Sequence, residues 1–239
     1  MIVAVRRPHG HKPESHRFVL DGILWVSRTS APWRDLPEEF GKWSSVDRQY
    51  RRWKLAGLWE LIPEALNDSP AVPDSVQMVE SAHVRAHQHA AGAKRGPPKE
   101  GPGRSKGGLT TKIHLRVNAR GLPMRTEITT GQTSEYEGFD MVMADKLPPP
   151  SVLIADKVYD ADRIGEKVEA HGGVPVIPMR RNRKIQEPLD TVLYAGRNLV
   201  KRCFNRLKHT RRLAIRYDKT AASFLGFIDI ACIRLCLRH

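Results

Sequence analysis

Read for periodicity, the chain changes character after about sixty residues. HRFVLDGILWVSR (16–28) spaces its apolar residues at helical intervals, and TSAPWRDLPEEFGKW (29–43), with Pro32, Pro37 and Gly41, breaks that helix. Ser44-Ser-Val-Asp47 has the form of a capping box and predicts a second helix over 45–66. On it Val46, Tyr50, Trp53, Gly57 and Leu61 make one face, with Arg48, Arg51, Arg52 and Lys54 largely off it. Two helices across a sharp turn, one of them basic, suit either a DNA-reading module or a helical cap with solvated arginines.

NDSPAVPDS (67–75) reads as a linker between this helical segment (1–66) and a second domain (76–239). From there the pattern is that of an α/β fold. VQMVES (76–81) is a short apolar run, predicted as a buried strand that ends in Glu80. KRGPPKEGPGRSKGG (94–108) predicts a mobile basic loop. LTTKIHLRVN (109–118) alternates, with Leu109, Thr111, Ile113, Leu115 and Val117 on one face and polar residues on the other. Leu122, Met124, Thr126 and Ile128 continue that alternation as a hairpin partner. A helix is expected at 136–146, and SVLIAD (151–156) has the continuous apolar run of a central strand covered on both faces. A helix at 160–171 and an edge strand VPVIP (174–178) follow, because Pro175 and Pro178 suit only an edge. Helices at 191–214, with a seam of Leu199, Val200, Cys203, Phe204 and Leu207, and at 220–237 close the chain.

Charge sharpens this picture. The 239 residues carry 40 Lys+Arg against 26 Asp+Glu, a net charge of +14. The stretch 180–216 holds twelve Lys/Arg and two acids, so it supplies +10 of that excess. Such a block on a folded domain is the electrostatic footprint of a polyanion partner, nucleic acid, rather than a merely solvated basic face. Three cysteines exclude a disulfide framework, and Cys232 and Cys236 read as buried thiols of a reducing compartment. The N-terminal residues lack a signal-peptide core, and the run Phe224 to Ile233 is about half a membrane span. An intracellular protein without membrane attachment is the expectation.

Two acids occupy the position where an open α/β sheet keeps its active site, at the carboxyl ends of strands: Glu80 and Asp156. Taken singly, a solvated strand end and a helix cap explain them as well. On the helix at 191–214, Tyr194, Arg197, Lys201 and Lys208 share one stripe about 120° from the apolar seam. That stripe suits a phosphate-binding surface, with Arg202 and Arg206 adding charge beside it. His83, His87 and His89 in HVRAHQH invite a zinc reading, against contact with DNA or the active site.

At this point the chain resembles the bacterial insertion-sequence DDE transposases of the group with a Tyr-(2)-Arg-(3)-Glu-(6)-Lys signature. The blocks DGILWVSRTSAPWRDLPEEFGKW, VESAHVRAHQHAAGAKRG, GRSKGGLTTKIHLRVNARGLP, LIADKVYD, IPMRRNRK and NLVKRCFNRLKHTRRLAIRYDKTAASFL occur in family order. The resemblance implies a ribonuclease-H-like mixed α/β sheet with flanking helices, preceded by the helical segment. It implies three carboxylates holding two Mg²⁺ ions, with element ends and target DNA as partners and a homo-oligomer on paired ends. The carboxylate positions are Glu80, Asp156 and 201, Glu80 and Asp156 being the metal ligands. Tyr194, Arg197, Arg202, Arg206, Lys208, Arg48, Arg51 and Arg52 are the expected DNA contacts. Family members usually carry a further helical segment before DGILW.

Two departures matter. Glu80 stands where the family has Asp, and Lys201 where it has Glu. Mg²⁺ demands near-ideal octahedral geometry, which the longer Glu side chain disturbs. A unit charge about 4 Å from another is worth roughly 4 kcal/mol at an effective dielectric near 20, and about twice that against a divalent ion. Lys201 therefore turns attraction into repulsion. The expectation is a transposase-family protein with impaired strand cleavage; the alternatives are a non-catalytic DNA-binding remnant or repressor, and a nuclease completed by Asp160 or Glu187.

Overall fold

The computed structural model describes residues 15–67, 76–90, 102–105, 108–144 and 147–238. The linker and most of the 94–108 loop lie outside the described residues. Helix α1 (His16–Thr29) is capped by Ser15 and followed by two single-turn 3-10 helices. The expected second helix is two: α2 (Trp43–Leu55) and α3 (Leu58–Asn67), parted at Gly57 with φ +70°. Its cap also differs, because the N-cap is Lys42 without a side-chain bond, which leaves Ser44 inside the helix. Leu61 is consequently exposed rather than on the buried face.

The sheet is built from β1 (Val76–Ala86), β2 (Gly103–Ser105), β3 (Gly108–Val117), β4 (Pro123–Thr130), β5 (Val152–Ile154), β6 (Val174–Val176) and β7 (Ile215–Arg216). Antiparallel β4–β3–β1 continues into parallel β5 and β6, with β2 extending along β3 and β7 pairing the end of β1. β1 is the central strand and runs longer than its apolar start suggested. Strand β6, with its proline, pairs with β5 alone among the described strands, as an edge strand would. Helices α4 (Glu135–Met143) and α5 (Asp162–Glu169) cover one face around Val79, Phe139, Leu153, Tyr159 and Ile164.

The other face carries the larger core. There α7 (Asn198–Lys208), preceded by α6 (Thr191–Ala195) and followed by α8 (Arg211–Ala214), packs with α9 (Ala221–Cys236). The single helix expected at 191–214 is thus three, and the 3-10-type bonds Gly196 N–H to Leu193 O and Arg197 N–H to Tyr194 O tighten the first joint. The N-terminal helices share this core: Tyr50 stacks on Phe227 at 4.6 Å and its hydroxyl donates to Ser223 O of α9 at 2.5 Å. Lys54 is not solvated. It pairs with Glu60 and lies 3.5 Å from the buried Asp229 carboxylate. Cys203 and Cys232 are buried free thiols, and no described helix is long and apolar enough to cross a membrane.

The polar face of β3 is the main departure from the expected alternation. Both faces are buried from Thr110 to Val117. Lys112 reaches Glu135 at 2.8 Å, His114 reaches Thr129 at 2.8 Å, and Arg116 bonds Gln77 at 2.7 Å and Pro148 O at 2.7 Å. Helix α4 closes over this row so tightly that a Cβ at Gly138 would lie 2.0 Å from the His114 ring.

Candidate active site

The parallel register of β1 and β5 places the acids. Met78 pairs with Ile154, so the next residues of the same parity, Glu80 and Asp156, emerge side by side on the face that α7 covers. Glycine at 196 lets the joint between α6 and α7 approach Ile154. The following residue, Arg197, enters the gap. Its Nη2 donates to Glu80 Oε2 at 2.5 Å and to Asp156 Oδ2 at 2.6 Å.

All three groups are largely enclosed, with side-chain exposures of 12% for Arg197, 13% for Glu80 and 28% for Asp156. Burial pushes the Glu80 carboxyl above its ordinary range; Arg197 opposes that, Asp156 adds to it, and Lys201 is close enough to pull it down slightly. Tyr194 stands half-buried beside Arg197, and burial raises its phenol. Lys201 is exposed on the next turn of α7. The centre therefore contains two carboxylates against one guanidinium, with an ammonium at its mouth.

Three carboxylates and two divalent ions do not fit here. Among the described residues no group of three His, Cys, Asp or Glu side chains is placed to hold a metal ion. Asp160 is taken by Arg183 at 2.5 Å and by the Arg180 N–H at 2.7 Å. Glu187 lines a separate cleft beside α5 and β6. The histidines do not converge either: β1 ends at Ala86, and His87 stacks on Tyr217 while accepting a bond from the His89 N–H. His83 bonds Gly131 O at 3.0 Å.

The expected DNA contacts divide. Arg197 faces the acids, not the solvent. Arg202, Arg206 and Lys208 are exposed along α7. On α2, Arg48 is exposed, Arg51 pairs with Asp47 at 3.0 Å and Arg52 bonds Gln49 at 3.1 Å. The basic block at 180–216 is also less free than its charge suggested, since Arg180, Arg183, Arg212 and Arg216 all bind protein groups. Sequence reasoning missed the half-buried Ser81–Glu135–Lys112 group behind β1 and the Tyr159 hydroxyl, buried beside Ser81 without hydrogen-bond geometry to a partner. The signal was a strand carrying Lys112, His114 and Arg116 at alternate positions next to the acid-bearing strand.

The geometry is that of a ribonuclease-H-like fold, with Glu80 and Asp156 side by side beneath the start of α7. Family models agree. One described as "Transposase DDE domain" matches residues 72–235, and one for transposases of the IS4/5 family matches residues 1–62. The chain belongs to the IS4/5-type DDE transposases. It is 34% identical over 134 residues to a Brucella ovis protein named as the transposase for insertion sequence element IS6501, covering 54% of this chain and all of that one. A Burkholderia cepacia protein named as the transposase for element IS402 is 28% identical over 155 residues, 59% of this chain and 70% of that one. The fold also matches the piggyBac transposase in its synaptic complex with hairpin DNA, at TM-score 0.53 and 13% identity over 97% of this chain and 68% of that one.

Proposed function

We propose that this chain binds DNA through its basic surface and that its own strand-cleaving centre is silent. The observation that carries this reading is Lys201, exposed beside the Glu80–Asp156 pair where the family has its third acid, while the signature arginine, Arg197, bridges that pair. One guanidinium offsets half the charge of the two carboxylates, and Lys201 adds repulsion where the third acid is needed. Catalysis by such a centre consists almost entirely of positioning and charge stabilisation, so losing its ligands costs orders of magnitude in rate.

DNA binding rests on separate features. The +14 net charge and the exposed Arg202, Arg206 and Lys208 on α7 support a steeply salt-dependent attraction to phosphates. Such a protein would occupy element ends without cutting them, as a repressor of transposition does. A nicking assay with Mg²⁺ or Mn²⁺, on a duplex carrying the terminal repeats of its own element, tests the reading. The native chain should leave the duplex intact, and Lys201→Glu combined with Glu80→Asp should nick it. Comparable nicking by the native chain would sink the proposal and place the third ligand elsewhere.

A further inference from the structure

Several arginines here are answered by a carboxylate: Arg183 by Asp160, Arg212 by Asp218, Arg125 by Glu127. One cleft departs from that habit. It encloses about 370 Å³ and is lined by Arg28 of α1, Arg206 and His209 at the end of α7, Arg234 of α9 and Arg238 just beyond it, over an apolar floor that includes Ala231. No acid among the described residues lines it. Arg28, Arg234 and Arg238 form no ion pair with a described acid.

These cations crowd one another. Arg234 is half-buried, and its guanidinium is held below its ordinary range by burial first, then by the charges of Arg238 and Arg28. Like charges crowded as Arg28, Arg234 and Arg238 are, at a partly enclosed site, cost stability in the free protein, and an anion there would recover it. Nor is the cleft part of the carboxylate centre. Arg206 follows Arg197 by nine residues, half a rotation round the helix axis, and the buried seam of Val200, Cys203, Phe204 and Leu207 lies between the two flanks.

We propose that this cleft is a phosphate-binding site that seats backbone oxyanions of a DNA segment running along the flank of α7 opposite the carboxylate pair. The inference rests on the reading that DNA is the partner. Guanidinium forks suit phosphate oxygens, which accept two parallel bonds. Arg202, exposed one turn before Arg206 at about 6 Å along the axis, continues the basic row out of the cleft, which suits a linear polyanion better than a single small ion.

The test compares the native chain with Arg28→Gln/Arg234→Gln/Arg238→Gln, which keeps the side-chain stems. Fluorescence anisotropy with a random-sequence duplex across a salt series gives the slope of log K against log salt. Each phosphate that the variant no longer neutralises should flatten that slope by about 0.9, so loss of all three contacts should flatten it by about 2.7 and weaken binding at least about tenfold at low salt. In phosphate-free buffer its melting temperature should be no lower than native. If it melts far below, Arg28→Gln/Arg238→Gln, both exposed, takes its place. Native binding with an unchanged slope in the variant overturns the cleft and leaves the DNA reading intact. Absence of salt-dependent native binding overturns both as stated. Tripolyphosphate then separates a site for free phosphate, which raises the native melting temperature alone, from no anion site at all.

Discussion

Arg197 carries the most consequence of any single residue. Its guanidinium answers two carboxylates that would otherwise face each other in a largely enclosed gap. Breaking a fully buried pair costs about 3–5 kcal/mol and an exposed one about 0–1 kcal/mol. Asp156 keeps some solvent, so Arg197→Gln should cost roughly 2 kcal/mol in a urea melt. Mn²⁺ should restore part of that loss in Arg197→Gln and leave the native chain unmoved. Equal melts for both proteins would show that the bridge is not maintained in solution.

Two other buried groups set opposing pH dependences. Burial pushes the Asp229 carboxyl up to about 7, against the pull of Lys54. The unfolded group ionises near 3.9, so its contribution is full below that value and is lost as pH rises through about 7. Burial, helped by Lys112, lowers His114 to about 4, and the unfolded ring takes its proton near 6.5. That contribution is present above pH 6.5 and is lost as pH falls through about 4. The two slopes oppose one another over one window. On acidification from pH 7 to 4, Asp229→Asn should lose stability relative to native, and His114→Gln should gain it, in melts followed by circular dichroism. Parallel curves for all three would refute both assignments.

At the scale of elements, what the sequence disclosed depended on how local its cause was. The alternation at 109–128 gave the β3–β4 hairpin, and the apolar run before Asp156 gave β5, because burial of a pleated face is written residue by residue. Helix ends were harder. Ser44 has the residue type of a cap, but the chain turns helical one residue earlier, and Gly57 splits what the periodicity joined. The polar face of β3 was read as merely polar, since nothing local announces that α4 lies on it. Its closeness is testable. Gly138→Ala drives a methyl into the His114 ring and should cost about 1–3 kcal/mol, the usual range for overpacking. Gly165→Ala on α5 meets nothing within 4 Å and should be neutral or stabilise by up to about 1 kcal/mol. Denaturant midpoints for the two variants decide the matter.

Across the whole molecule, Asp156 was legible as an acid just beyond its strand, but Glu80 lies within β1, which runs on to Ala86 instead of ending there, and the register of β1 with β5 accounts for their adjacency. The bridge was not legible. The helical wheel put Arg197 on an outward stripe with Lys201 and Lys208, and only the tightened joint at Gly196 and the packing of α7 turn it toward the sheet. The same packing gives α7 two basic flanks on either side of one apolar seam. One flank closes over the carboxylates, and the other borders the arginine cleft.

Two carboxylates that share one guanidinium, with Lys201 in place of a third acid, should offer no seat for a divalent ion. Titration of Mn²⁺, followed by the loss of its free-ion electron paramagnetic resonance signal, measures that without any catalytic readout. The native chain should leave the signal of the free ion unchanged, while Glu80→Asp/Lys201→Glu should deplete it in proportion to protein. Saturable uptake by the native chain, abolished by Asp156→Asn, would contradict a silent centre.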